Sequence, residues 1–449
     1  MKPLKIGIGG VRGIVGETFT PELAVSFAQA FATYLDSGRI LVCRDTRPSG
    51  PMLASAVAAG LLAAGCEVID LGVCPTPSLQ LAVPFFQAQG GIAVTAGHNP
   101  APWNALKFVR GDGIYLNATQ ADELLDIFHQ GEFVKATWDT IKTGIEMREA
   151  ISHHIEVLKN AFDVEAIRAR RFTVAVDCCN GACSLLTPRW LAELGCEVLA
   201  INDDPSAPFP HNPEPRRETM AQLRAVIKAG RADIGFAHDA DGERLGLVTD
   251  RGEPLSEEMT LAIATAIKLE QKAGTVVTNV STSSIIDRVA ERHAVSVVRT
   301  PVGQAYVSEA MLACGAVIGG EGSGGVAVPE VQVSNDSAAT IGLVLEHLAK
   351  TGDSMSALTA QLPKVTMMKR NVAVEPNRIY SLLQGFRREI EAEGADADEA
   401  DGIKVFRADG GWVHVRASNT ESMIRIIAEA ADEKGALDLL SWAQDRLKR

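Results

Sequence analysis

"AAGCEVIDLG" (63–72) and "ELGCEVLAIN" (193–202) state one pattern twice. Each leaves a helical run, turns at a glycine (Gly65, Gly195) and enters a short apolar run that reads as a buried strand. A looser third copy, "ACGAVIGGEG", runs over 313–322. The copies stand too far apart for a short-repeat solenoid and point instead to related α/β units.

Around the first copy, "TPELAVSFAQAFATYLDSG" (20–38) predicts a helix. Thr20 can N-cap it, Pro21 fits the first helical position, Gly38 can end it, and Leu23, Phe27, Phe31, Tyr34 and Leu35 share one face. "RILVCRD" reads as a buried strand, "MLASAVAAGLLAAG" as a helix and "CEVIDLG" as the next strand. This βαβα order predicts a mostly parallel sheet. The last eighty or so residues differ: strand "MKRNVAV", amphipathic helix "NRIYSLLQGFRREIEAEG", acidic mobile loop "ADADEADG", a hairpin turning at Asp409, Gly410 and Gly411, strand "MIRIIAEA" and a closing helix. A chain of 449 residues is too long for one core. The expected division is 1–150, 151–253 and 254–367 as three α/β domains with mixed sheets, and 368–449 as a small α+β domain.

With 46% hydrophobic and 22% charged residues the composition is that of an ordinary globular protein. A net charge of −13 argues against a nucleic-acid or anionic-membrane surface, so phosphate binding requires locally concentrated cations. The opening "MKPLKIGIGGVRG" carries no apolar signal run, no stretch is long enough to span a bilayer, and the eight cysteines form no paired metal motif. The expected compartment is the cytoplasm, and the expected state monomer or homodimer.

Four loops carry chemistry-bearing residues. "TAGHNP" (95–100) follows a strand and holds His98, with Lys107 shortly after; it reads as a phosphoryl- or proton-transfer loop or as a solvent-facing turn. In "ADIGFAHDADGERLGLV" (232–248), Asp239, Asp241 and Glu243 lie at alternate positions between two strands, and three hard oxygen donors there suit Mg²⁺. In "GGEGSGGVAVPE" (319–330), glycines allow close backbone approach while Glu321 and Ser323 can meet a polyol. In "VRASNTESMIRIIAEA" (415–430), Arg416, Ser418, Asn419, Thr420 and Arg425 gather two guanidinium groups and small donors around one turn, a composition suited to a phosphate dianion.

In this order, from "GGVRGIVGETFTPELA" to "RASNTESMIRIIAEA", the set resembles the α-D-phosphohexomutases: phosphoglucosamine mutases, phosphomannomutases and phosphoglucomutases. The resemblance implies four domains around a central cleft and exchange of phosphate between O6 and O1 of a hexose, through a phosphoserine and a hexose bisphosphate. It implies Mg²⁺ on Asp239, Asp241 and Glu243, with Arg244 beside them. Arg12, His98 and Lys107 fall on active-site positions, Glu321 and Ser323 on the sugar loop, Gln304 of "RTPVGQ" on a variable loop residue, and Arg416, Ser418, Asn419, Thr420 and Arg425 on the phosphate loop. Glucosamine phosphate ranks first as substrate, mannose or glucose phosphate next.

The departures are specific. The family loop reads T-A-S-H-N-P, and Gly97 stands where the serine would be, with no oxygen to phosphorylate. Glu243 replaces the usual Asp, Ala240 the usual Gly, "GIGGVRG" has no hydroxyl before the arginine, and "VSND" (333–336) lacks an expected arginine. Three readings follow: a mutase in which bisphosphate, Thr95 or His98 stands in for the serine; a phosphosugar-binding or regulatory protein; or a Mg²⁺-dependent phosphosugar hydrolase.

Overall fold

A computed structural model describes residues 4–7, 9–418 and 423–448. The helix Pro21–Tyr34 starts where the sequence places it: Thr20 accepts from the backbone N–H of Leu23, and Pro21 follows it. It ends earlier than Gly38, through Asp36 and Ser37 in the left-handed region (φ 54° and 63°). Phe27 and Phe31 are fully buried on its inner face, and the Phe27 ring stacks on Phe128.

Three mixed sheets share one internal order. In the first, Arg39–Arg44 is parallel to both Glu67–Val73 and Gly90–Val94, and Trp103–Arg110 runs antiparallel on the outer side of Gly90–Val94. In the second, Thr173–Asp177 is parallel to Glu197–Ile201 and Ile234–His238, with Leu245–Val248 antiparallel. In the third, Val276–Asn279 is parallel to Val297–Thr300 and Ile318–Glu321, with Gly325–Ala327 antiparallel. The first sheet adds further strands at both edges, to seven in all. The fourth sheet is antiparallel, five strands in the order Thr366–Ala373, Met423–Ala430, Trp412–Ala417, Ile403–Phe406, Ala397–Asp398.

This order corrects one expectation. The two GCEV runs occupy the same place, the second in chain order of the four strands the sheets share, but "ACGAVIGGEG" enters the third of those four. The true third counterpart is "ERHAVSVVRT". At all three positions the backbone N–H groups close the preceding helix alike: Gly65 to Leu62 and Cys66 to Leu61, Gly195 to Ala192 and Cys196 to Leu191, Ala294 to Glu291 and Val295 to Ala290. The left-handed cap residue is glycine in the first two (φ 81° and 70°) and Ala294 in the third (φ 53°). A second correction concerns "ADADEADG": its Ala397–Asp398 is an edge strand paired with Val405 and Lys404.

Each of the four loops occupies the turn of an antiparallel hairpin: between Val94 and Trp103, His238 and Leu245, Glu321 and Gly325, and Ala417 and Met423. Fully buried strand residues behind them anchor three sheets, and Phe386, Val405, Val413, Ile424 and Ile426 form the core of the fourth unit. All eight cysteines are free thiols, and six of them are buried. Among the described residues no helix is long and apolar enough to cross a membrane.

Candidate functional site

The loop after Gly90–Val94 is fixed by a residue outside it. Arg47, fully buried, pairs with the buried Asp45 at 2.9 Å. Its guanidinium donates to the carbonyls of Gly97, Asn99 and Pro100, each at 2.7 Å, and of Trp103 at 3.1 Å. Five-donor geometry suits this clamp, and the paired carboxylate offsets the cost of burying the charge. Within the loop Gly97 adopts φ +53°, and its N–H donates to Thr95 Oγ1 at 3.0 Å. A Cβ added at Gly97 would stand 3.4 Å from Oδ1 of Asp241, in ordinary contact. The residue position that lacks a side chain therefore faces the acidic loop of the second sheet.

In that loop the carboxylates are not arranged around a vacancy. Lys107 Nζ donates to Asp241 Oδ2 at 2.7 Å and to Glu243 Oε2 at 2.5 Å. Tyr115 donates to the other oxygen of Glu243, and Thr76 donates to Asp241 Oδ2 at 3.0 Å. Asp239 Oδ1 accepts from the N–H of Arg244 at 3.2 Å. Among the described residues no group of three or more His, Cys, Asp or Glu side chains is arranged to enclose a metal ion. The alternate spacing suggested convergence on a cation; in the structure an ammonium group bridges two of the three carboxylates. One feature suits a divalent ion: Oδ1 of Asp241 is buried without a hydrogen-bond partner, and hard oxygen donors are what Mg²⁺ takes. Burial, then Asp241, pushes the Asp239 carboxyl well above its ordinary range. Burial opposes ionisation of Asp241 as well, but Lys107 and Thr76 hold it below the ordinary range. Asp241 and Glu243 outweigh burial at Lys107 and keep its ammonium protonated.

His98 lies half-buried beside these groups. Burial first, then Arg244, Arg12, Lys107 and Arg425, press its imidazole well below its ordinary pKa, so it is neutral at pH 7. Those four cations come from three sheets. Arg12 donates to Asn99 Oδ1 at 3.1 Å, and Arg244 pairs with Glu214 at 3.2 Å. Such a field, inside a protein of net charge −13, is the local cation concentration that phosphate binding requires.

The third and fourth loops close on the first two. With its amide oriented to satisfy both neighbours, Gln304 donates to Glu243 Oε1 at 2.9 Å and accepts from the N–H of Asn335 at 2.7 Å. Glu321 accepts from Asn279 at 2.8 Å and from the N–H of Gly303 at 3.1 Å, and Ser323 is half-buried at the turn. The N–H of Leu245 donates to the carbonyl of Gly324 at 3.0 Å, tying the second loop to the third. In "VSND", Asp336 caps the helix Ser337–Thr351 and bonds the buried His154 at 2.9 Å, so this stretch serves packing. In the fourth sheet Arg416 and Arg425 are register partners on adjacent strands. Arg416 is buried, lies 3.0 Å from Asp401, and keeps a buried Nε without an acceptor. Ser418 donates its N–H to the carbonyl of Met423 at 2.9 Å; Asn419 and Thr420 lie outside the described residues. Sequence reasoning missed Asp45, Arg47, Thr76 and Tyr115. The signal for the first two was "RDTR", three charges at the end of an apolar strand.

Comparisons with known proteins cover this whole frame. The chain matches the family models of phosphoglucomutase/phosphomannomutase: alpha/beta/alpha domain I over residues 3–135, domain II over 152–252, domain III over 256–366 and the C-terminal domain over 370–441. It is 40% identical to a protein of Thermococcus kodakarensis named phosphoglucomutase/phosphomannomutase, over 97% of this chain and 96% of that one. It is 35% identical to a probable phosphoglucosamine mutase of Methanopyrus kandleri, over 99% and 97%. The solved structure of a putative phosphomannomutase from Thermus thermophilus superposes with a TM-score of 0.83 at 26% identity, covering both chains completely.

Proposed function

Because this chain belongs to the phosphoglucomutase/phosphomannomutase family, we propose that it interconverts hexose 6-phosphates and hexose 1-phosphates through a hexose bisphosphate. The observation that carries this reading is the field of Arg12, Lys107, Arg244 and Arg425, drawn from three sheets, around one neutral imidazole. Phosphoryl transfer asks a protein mainly for positioning and for stabilisation of charge on the phosphoryl oxygens.

Arg416 and Arg425 hold the phosphate that does not react, with Ser418 and, from the sequence, Asn419 and Thr420 beside them. Glu321 and Ser323 meet the sugar hydroxyls. Arg12 and Arg244 orient the reacting phosphate. Asp239, Asp241 and Glu243 are the residues that would hold Mg²⁺, which supplies neutralisation of phosphoryl charge when bound; the unpartnered Oδ1 of Asp241 is the atom that fits it best. Lys107 balances the same carboxylates and fixes their geometry. His98, held neutral, can accept or return a proton at the sugar oxygen.

Glucosamine 6-phosphate, mannose 6-phosphate and glucose 6-phosphate form the substrate class, since relatives of similar likeness are named for each. Gly97 favours a second reading, a phosphosugar-binding protein without turnover. ³¹P NMR of the protein with Mg²⁺ and each sugar phosphate, with and without a trace of glucose 1,6-bisphosphate, separates the two. The 1-phosphate resonance is expected from the wild-type chain. If it is missing for all three sugars while calorimetry still registers binding, the second reading stands in its place.

A further inference from the structure

We propose that His98, the residue that follows Gly97, is the phosphoryl carrier of this chain, forming a phosphohistidine. The inference rests on the mutase reading above and adds the identity of the carrier.

A phosphoryl group that leaves one sugar oxygen and returns to another is held meanwhile on the protein or on a second sugar. Gly97 offers no atom to hold it. Three hydroxyls near the loop are committed elsewhere. Thr95 is 1% exposed and donates to Asp45 at 2.6 Å, while its oxygen accepts from Gly97. Thr76 is fully buried and donates to Asp241. Tyr115 is buried and donates to Glu243. His98 differs in each respect. It is half-buried, follows the vacant position, and among the described residues no hydrogen bond engages either ring nitrogen. The clamp from Arg47 to the carbonyl of Gly97 fixes the backbone from which the ring projects. The neutral ring has a lone pair available for attack, and the surrounding cations stabilise the dianion it would receive.

The step balances without an additional reactant. The lone pair of one imidazole nitrogen forms a P–N bond as the P–O bond to C1 or C6 of a hexose bisphosphate breaks. The departing electron pair stays on the sugar oxygen. That oxygen takes up a proton, equivalent to the one the other ring nitrogen gives up as the phosphoimidazole becomes neutral. The phosphohistidine then gives its phosphoryl group to the free C1 or C6 hydroxyl of a hexose monophosphate: the P–N bond breaks, the new P–O bond forms, the hydroxyl's proton returns to the ring, and bisphosphate and neutral histidine are restored.

The test is covalent labelling. The full chain with Mg²⁺ is mixed with ³²P-labelled glucose 1,6-bisphosphate and quenched in detergent, and the label is followed after acid and after alkali. A label lost in acid and kept in alkali is expected. His98→Asn is expected to take no label and to lose turnover by on the order of a thousandfold or more, while binding the bisphosphate within roughly threefold of wild type by calorimetry, well under one tenfold step. A label that survives acid, which would mean a hydroxyl such as Ser323, overturns the proposal, as does a His98→Asn protein labelled like wild type. Unlabelled wild-type protein that still interconverts the sugars overturns the carrier and leaves the mutase reading standing. Protein labelled on His98 that converts none of the sugars upholds the carrier and overturns the mutase reading.

Discussion

Lys107 Nζ stands 2.7 Å from Oδ2 of Asp241, joining a strand of the first sheet to the acidic loop of the second across 134 residues of chain. The same ammonium reaches Glu243 at 2.5 Å. One cation thus balances two of three crowded carboxylates and locks two domains in register. Removing it leaves buried charge uncompensated, which typically costs about 3–5 kcal/mol. Lys107→Met is therefore expected to melt well below wild type at neutral pH. Added Mg²⁺ should recover part of the loss, because a second cation would serve the same oxygens. Thermal melts with and without Mg²⁺ check this, and equal melting of the two proteins in metal-free buffer would refute it.

Arg47 makes four backbone contacts and one ion pair from a fully buried position. An ammonium cannot reproduce that fork. Arg47→Lys is expected to lose about 1.5–3 kcal/mol of stability, the range for a hydrogen bond to a charged group, and to lose turnover more than ground-state binding. Denaturant unfolding paired with kcat and KM reads both quantities.

Placing a hydroxyl side chain at Gly97 is sterically open. The left-handed φ of Gly97 sets a conformational cost of about 1–2 kcal/mol for any L side chain, while the new Cβ meets Asp241 at ordinary contact distance. Gly97→Ser is expected to fold, to melt slightly lower and to turn over sugar phosphates faster than wild type. Acid-stable ³²P labelling of the variant, read beside its rate, decides the matter.

His414 lies in the contact between the third and fourth units, bonded to Ser281 at 3.0 Å and to the carbonyl of Asp401 at 2.5 Å. Burial, with Arg416 and Lys404 nearby, lowers its pKa to about 4. An unfolded histidine takes its proton near pH 6.5, while the folded one stays neutral until about pH 4. Acid therefore favours the unfolded chain across that window, by up to about 3 kcal/mol at its lower end. The melting temperature of His414→Gln should fall less steeply than that of wild type between pH 6.5 and 4.

Ala294 holds the left-handed cap that Gly65 and Gly195 hold in the other two units. An L side chain there costs about 1–2 kcal/mol, partly offset by the greater chain entropy that glycine loses on folding. Ala294→Gly is expected to stabilise by about 0.5–1 kcal/mol, seen as a higher melting temperature with unchanged activity.

That alanine also explains what was legible in the chain. Glycine caps announce two of the three related units, because a left-handed turn favours glycine. In the third unit the same turn is made by alanine, so the eye passes to "ACGAVIGGEG", one strand too far. The four loops were readable because each breaks an apolar strand with polar residues. The partners that shape them were not. Thr76 and Tyr115 act across the fold, and nothing local distinguishes them from residues that face solvent; Arg47 shows only as a charge after an apolar strand. The alternate carboxylates were visible, but the lysine that bridges two of them lies in another domain's strand. The acidic "ADADEADG" reads as mobile because its composition is that of a loop. Its pairing with Val405 and Lys404 depends on a neighbouring strand that composition does not report.

All four working loops hang from the ends of antiparallel hairpins whose registers are set by buried strand residues behind them. A change at such a tip leaves the sheets' pairing untouched. Gly97 stands at such a tip, in a turn that Arg47 grips through backbone carbonyls alone. The grip is thus indifferent to the side chain at position 97, and a reactive group can be added or removed there without redesigning the frame that holds it.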